Sequence, residues 1–193
     1  MDKSPPQVKN QKIKLIIGLG NPGPEYKNTY HNAGFLFVDY LEKKALPNYL
    51  LPTIRLIKSD VYMNESGIFV KRAAKKYGAK PEEILIAHDD SDLTIGNFKL
   101  DFDRGSAGHK GVESIIQILG TKKFWRLRIG IRKSLPSRPT AGLARRSPLR
   151  RAKAGKFVLK KINQDDQKNL SDIFEKIAEL ELDSILRLSP KSH

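Results

Sequence analysis

The chain has 193 residues, 39% of them hydrophobic and 30% charged, a balance that suits one soluble globular domain with a sizeable core. It contains no cysteine and no apolar run long enough to span a membrane, and MDKSPPQVKNQK lacks the apolar centre of a secretory signal, so disulfide scaffolds, thiolate metal sites and membrane helices are excluded and a cytoplasmic protein is expected. The net charge is +15, and residues 122–161 carry fifteen Lys or Arg with no Asp or Glu, a field suited to a polyanion such as nucleic acid.

Residues 1–12 are expected to be a flexible extension ahead of one domain at 13–188. The first predicted element is an apolar strand at 15–19 that runs into a loop constrained by Gly18, Gly20, Pro22, Gly23 and Pro24. Asn28 or Thr29 then caps a helix reaching about Ala45, with Ala33, Phe37, Tyr40 and Leu41 on one side. Residues 46–56 read as irregular. A second helix from about Glu65 carries Ile68, Ala73 and Tyr77 and stops at Gly78. After a turn at Pro81, ILIAH at 84–88 reads as a buried strand and FKLDFD at 98–103 as an alternating one. Residues 110–119 form a helix closed by Gly120. WRLRIGIR at 125–132 alternates apolar and basic side chains as a half-buried strand does, which predicts Arg126, Arg128 and Arg132 facing outward. Residues 134–155 are a basic stretch that either stays mobile or contacts nucleic acid directly, and 164–188 hold an amphipathic helix with Leu170, Ile173, Phe174, Ile177, Leu180 and Ile185. The alternation of strands and helices makes the class α/β.

Gly18, Gly20 and Gly23 spell GxGxxG, with Asp39 about twenty residues on, as a dinucleotide site requires. Pro22 and Pro24 remove two backbone donors that a pyrophosphate would need, and Asp39 falls within a helix, so this reading is set aside. The loop instead positions Asn21 and His31 at the end of a sheet, where open α/β folds bind ligands. Asp89 follows the strand ILIAH and can meet His31 there, fixing its tautomer and raising its basicity. With Asn21 and Asn64 as amide donors, these are the parts of a water-activating hydrolase. His88, His109, Asp90 and Asp92 beside Asp89 follow no strong metal-ligand spacing, so no metal and no cofactor are expected. Met63 is ordinary core filler by itself, and His109 either caps the following helix or faces solvent.

The segments GLGNPGPEYKNTYHNAGFLFVDYL, VYMNESG, AHDDSDL, GSAGHKGVESI and FWRLRIGI, in that order, resemble the motifs of bacterial peptidyl-tRNA hydrolases. The resemblance covers about residues 13–133 and continues at KFVL before the last helix. It implies a monomeric single-domain α/β fold with a twisted mixed β-sheet flanked by helices. It also implies hydrolysis of the ester between peptide and tRNA, with peptidyl-tRNA as substrate and partner. On this resemblance His31 is the general base, Asp89 its orienting partner, and Asn21 and Asn64 contact the peptide side of the ester. Met63 packs beside the site, Tyr26 shapes the pocket and Arg128 contacts tRNA phosphate. Three features depart from the family pattern: Lys110 replaces an asparagine, losing an amide acceptor and offering a substrate phosphate a cation, the stretch between the first helix and VYMN is short enough to lose a strand, and 134–155 is rich in arginine. The Lys110 departure keeps open an alternative, a catalytically weak tRNA- or RNA-binding protein on the same fold.

Overall fold

A computed structural model describes residues 13–44, 54–133 and 157–186, and the expectations for 1–12 and 134–155 lie outside them. The elements in chain order are β1 (Leu15–Gly18), α1 (Ala33–Lys43), β2 (Arg55–Lys58), α2 (Ser66–Tyr77), β3 (Ile84–Thr94), β4 (Phe98–Phe102), α3 (Lys110–Leu119), β5 (Trp125–Arg132) and α4 (Gln164–Lys176). A π-helical turn, Ile177–Glu181, links α4 to α5 (Leu182–Leu186). Among the described residues the sheet has five strands in the order β2-β1-β3-β5-β4, parallel except for the antiparallel edge strand β4, which makes it the mixed sheet that was expected.

Strand residues alternate between two cores because successive side chains leave opposite faces of a sheet. Ile16, Leu85, Leu127 and Ile129 meet Phe37 of α1 and Phe174 of α4 on one side. Leu15, Ile17 and Ile86 meet Val70 of α2 and Val112 and Ile115 of α3 on the other. Helices on both faces are the usual cover for parallel strands. Contact between α1 and the sheet is made at backbone level: a Cβ on Gly34 would stand 2.2 Å from the Ala87 carbonyl oxygen, and one on Gly18 would stand 2.4 Å from that of Gly34. No helix among the described residues is long and apolar enough to cross a membrane.

Several expectations are corrected. The first helix begins at Ala33, because residues 24–26 and 30–32 form two 3-10 turns with Thr29 bridged to Lys161 between them. The irregular stretch expected at 46–56 is corrected at its end, since β2 begins at Arg55 and pairs in parallel with β1 to Lys58, while 46–53 lie outside the described residues. Ile68 is 55% exposed, and the buried stripe of α2 runs through Phe69, Val70 and Ala73. Arg126 and Arg128 do not face solvent: they are 2% and 4% exposed, because β5 lies between β3 and β4 and both of its faces are covered. Arg132 alone of the three is half-buried, donating to Thr94 Oγ1 at 3.2 Å.

Candidate active site

The loop after β1 is held by a reciprocal amide pair. Asn21 N–H donates to Asn32 Oδ1 at 2.9 Å, and Asn32 Nδ2 donates back to the Asn21 carbonyl at 3.0 Å. The Asn21 side chain is fixed in turn, since its Oδ1 accepts the N–H of Met63 at 2.9 Å. An oxygen that must accept a backbone N–H settles which way the amide points, leaving its NH2 as an oriented donor. A cavity of about 270 Å³ opens beside Asn21, lined in part by Lys27, Asn32, Phe35 and Lys58. Asp39, the residue a dinucleotide site would need, pairs with Lys58 there.

His31 lies in the turn before α1, and its backbone N–H donates to the Val158 carbonyl at 2.8 Å. The next residue back, Tyr30, is buried and bonds through its hydroxyl to Asp166 of α4. Burial and the Asp166 carboxylate push that phenol up to about 12. The His31 ring is thus carried by a backbone anchored at both ends. Its Nδ1 is 2.8 Å from Oδ1 of Asp89, which lies in β3 beyond its pairing with β1. Asp89 is 3% exposed. The same oxygen lies 3.0 Å from His109 Nε2, so two imidazoles converge on one carboxylate.

The charges follow from this arrangement. Burial alone would lower the pKa of His31, but the charge and hydrogen bond of Asp89 outweigh it and raise it above the ordinary value, with Lys110 opposing. Burial alone would raise Asp89, and His31 and His109 reverse that, holding the carboxyl well below the usual range. His88 is lowered far below an ordinary imidazole, first by burial and then by His109 beside it, and its Nδ1–H donates to the Asp89 carbonyl at 2.7 Å.

The other sequence candidates divide by position. Lys110 opens α3 as an exposed cation close enough to His31 to act on its protonation. Met63 is buried beneath Asn21, while Asn64 next to it is exposed and reaches neither His31 nor Asp89. Tyr26 is half-buried and meets the exposed ring of Tyr62 edge-on at 6.2 Å. Arg128 is drawn inward: its Nε donates to Asp90 at 2.6 Å and its Nη1 to Asp101 at 2.5 Å. The two carboxylates take its Nε and Nη1, so the guanidinium cross-links β3, β4 and β5 and does not face outward as the alternation had implied.

His31, Asp89 and His109 also present ligand atoms within 4.8 Å of one another, a metal-like grouping. The hydrogen bonds argue for another use. His109 Nδ1 accepts the Val112 N–H at 3.3 Å, so its proton sits on Nε2 and points at Asp89, where a cation would need a lone pair.

The peptidyl-tRNA hydrolase family model matches residues 15–188, which takes in every element from β1 to α5. The chain belongs to the peptidyl-tRNA hydrolase family. A peptidyl-tRNA hydrolase from Aquifex aeolicus is 36% identical over 178 residues, covering 85% of this chain and 85% of that protein. One from Hydrogenobaculum is 45% identical over 131 residues, covering 62% and 70%. The crystal structure of the Acinetobacter baumannii peptidyl-tRNA hydrolase superposes with a TM-score of 0.73 at 32% identity, covering 93% of this chain and 90% of that one. Membership of the peptidyl-tRNA hydrolase family supports the ester-hydrolase reading and not the binding-module alternative.

Three participants escaped the sequence. Asn32 braces the loop, but it follows His31 and reads as an ordinary helix-start residue. His109 left cap and solvent equally open, and it does cap α3. Residues 157–161 hold the His31 turn through backbone carbonyls, which leave no side-chain signal at all.

Proposed function

We propose that the chain cleaves the ester between peptide and tRNA with His31 as general base. The observation that carries this is the Nδ1 to Asp89 bond at 2.8 Å, which leaves Nε2 of His31 as the basic nitrogen. A water attacks the ester carbonyl carbon as Nε2 takes its proton. The tetrahedral oxyanion is met by donors, for which the oriented NH2 of Asn21, the amide of Asn64 and the ammonium of Lys110 are the candidates. Collapse breaks the bond to the ribose oxygen, the imidazolium returns the proton to that oxygen, and free tRNA and peptide leave. Met63 and Tyr26 support the floor and rim of the site. The protein is read as a cytoplasmic monomer acting without a metal or other cofactor, with the basic window supplying phosphate contacts to tRNA.

Peptide release from an N-blocked aminoacyl-tRNA tests the assignment. His31→Ala is expected to lower kcat by about 100-fold or more, and an unchanged rate would remove His31 from the mechanism. Lys110→Asn is expected to flatten the salt dependence of kcat/KM, by about 0.7 in log–log slope if the ammonium meets a phosphate.

A further inference from the structure

His109 stands just ahead of α3 and is bonded at both ring nitrogens. Its Nδ1 accepts the Val112 N–H at 3.3 Å, which is the cap of that helix. This leaves the ring proton on Nε2, 3.0 Å from Asp89 Oδ1, the oxygen that orients His31 at 2.8 Å. Packing holds the ring in place. It meets His88 edge-on at 4.6 Å between centroids and His31 at 5.3 Å. Behind it, a Cβ added to Gly111 would stand 3.2 Å from His109 Cε1 and 2.5 Å from Met63 Sδ, so only glycine lets α3 start this close.

We propose that His109 is a positioning residue that ties the start of α3 to Asp89 and thereby limits how strongly that carboxylate holds the proton on His31. The proposal rests on His31 as the base. Two N–H groups on one oxygen divide its accepting capacity, so removing one strengthens the other. The groups facing this network are Asp89 and His88 from β3, His31 from the turn before α1, and Lys110 from α3, with Arg126 of β5 acting on His88. Lys110 follows His109 directly. Loosening the tie therefore also frees the cation that opposes protonation of His31, and both effects make the base harder to deprotonate.

His109→Asn separates this role from simple capping. Asparagine keeps a side-chain oxygen that can accept the Val112 N–H, but it is too short to reach Asp89. The variant is expected to keep the melting temperature of the wild type while the His31 imidazole, followed by NMR, titrates about half a pH unit higher or more. The acid limb of kcat/KM should move with it. A folded His109→Asn protein whose His31 titration and pH profile match the wild type would overturn the proposal. In the unaltered protein, nitrogen–proton NMR correlations should show His109 as the Nε2–H tautomer, and the Nδ1–H form would equally overturn it. The general-base reading fails separately, by peptide release persisting in His31→Ala, and the two failures are thus told apart.

Discussion

Asp89 accepts from two imidazoles while almost fully buried, and that sets the expected behaviour of Asp89→Asn. The amide keeps the shape and loses the charge that raises His31, so the acid limb of kcat/KM should move to lower pH while kcat falls by about 100-fold. Stability should respond in a different pH range. A carboxyl whose folded pKa is depressed stabilises the native state above its unfolded value, about 3.9, and loses that contribution as pH falls toward the folded value. The wild type should therefore lose melting temperature more steeply below about pH 4 than Asp89→Asn does. The pairing of His31 with Asp89 was legible because each sits at the carboxyl end of an apolar run or the loop that follows it. The fate of Arg128 was not, because alternation of Arg with apolar residues describes a half-exposed strand and a doubly covered one equally well. Only the carboxylates of Asp90 and Asp101, on neighbouring strands, decide between them.

Among the elements, the best-read was α3, whose bounds 110–119 were set by Gly120, left-handed at φ 70°, and confirmed residue for residue. The strand β2 was missed because RLIK is four residues long at a sheet edge with exposed ends, too short for any period to show. Helix α1 was read as starting early because the two 3-10 turns before it share local helical signals, and the bridge from Thr29 to Lys161 that parts one turn from the other depends on a residue far along the chain. The contact of α1 with the sheet gives a test at this scale. Gly34→Ala places a methyl against the Ala87 carbonyl and the Leu19 backbone nitrogen, and neither can yield without moving β1 or β3. A loss of about 3 kcal/mol in denaturant unfolding is expected. Gly78→Ala meets nothing within 4 Å and has only its φ of 60° to contend with, so it should cost about 1 kcal/mol. Equal losses at the two sites would show that space at Gly34 does not limit the packing.

For the whole molecule, the charge of +15 sets the expected response to salt. Affinity for tRNA should fall linearly in log–log terms with ionic strength, because phosphate contacts release counterions. Arg128 is buried and paired with Asp90 and Asp101, so the test of this response lies in the basic window. Replacing Arg145, Arg146, Arg150 and Arg151 by glutamine should shallow the slope by about 0.7 to 0.9 for each phosphate no longer neutralised, measured by filter binding of deacylated tRNA. An unchanged slope would assign the phosphate contacts to cations elsewhere.

The turn that carries His31 is fastened to late parts of the chain: Tyr30 and His31 donate their N–H groups to the carbonyls of Lys160 and Val158, and Ile162 N–H bonds to Asn28. A ribosome making this protein delivers Asn21, His31, Asp89, His109 and Lys110 well before it delivers those carbonyls. A chain stopped at residue 156 would hold every one of these side chains and should still release no peptide. The order of synthesis thus places the fastening of the His31 turn after every one of these side chains has been made.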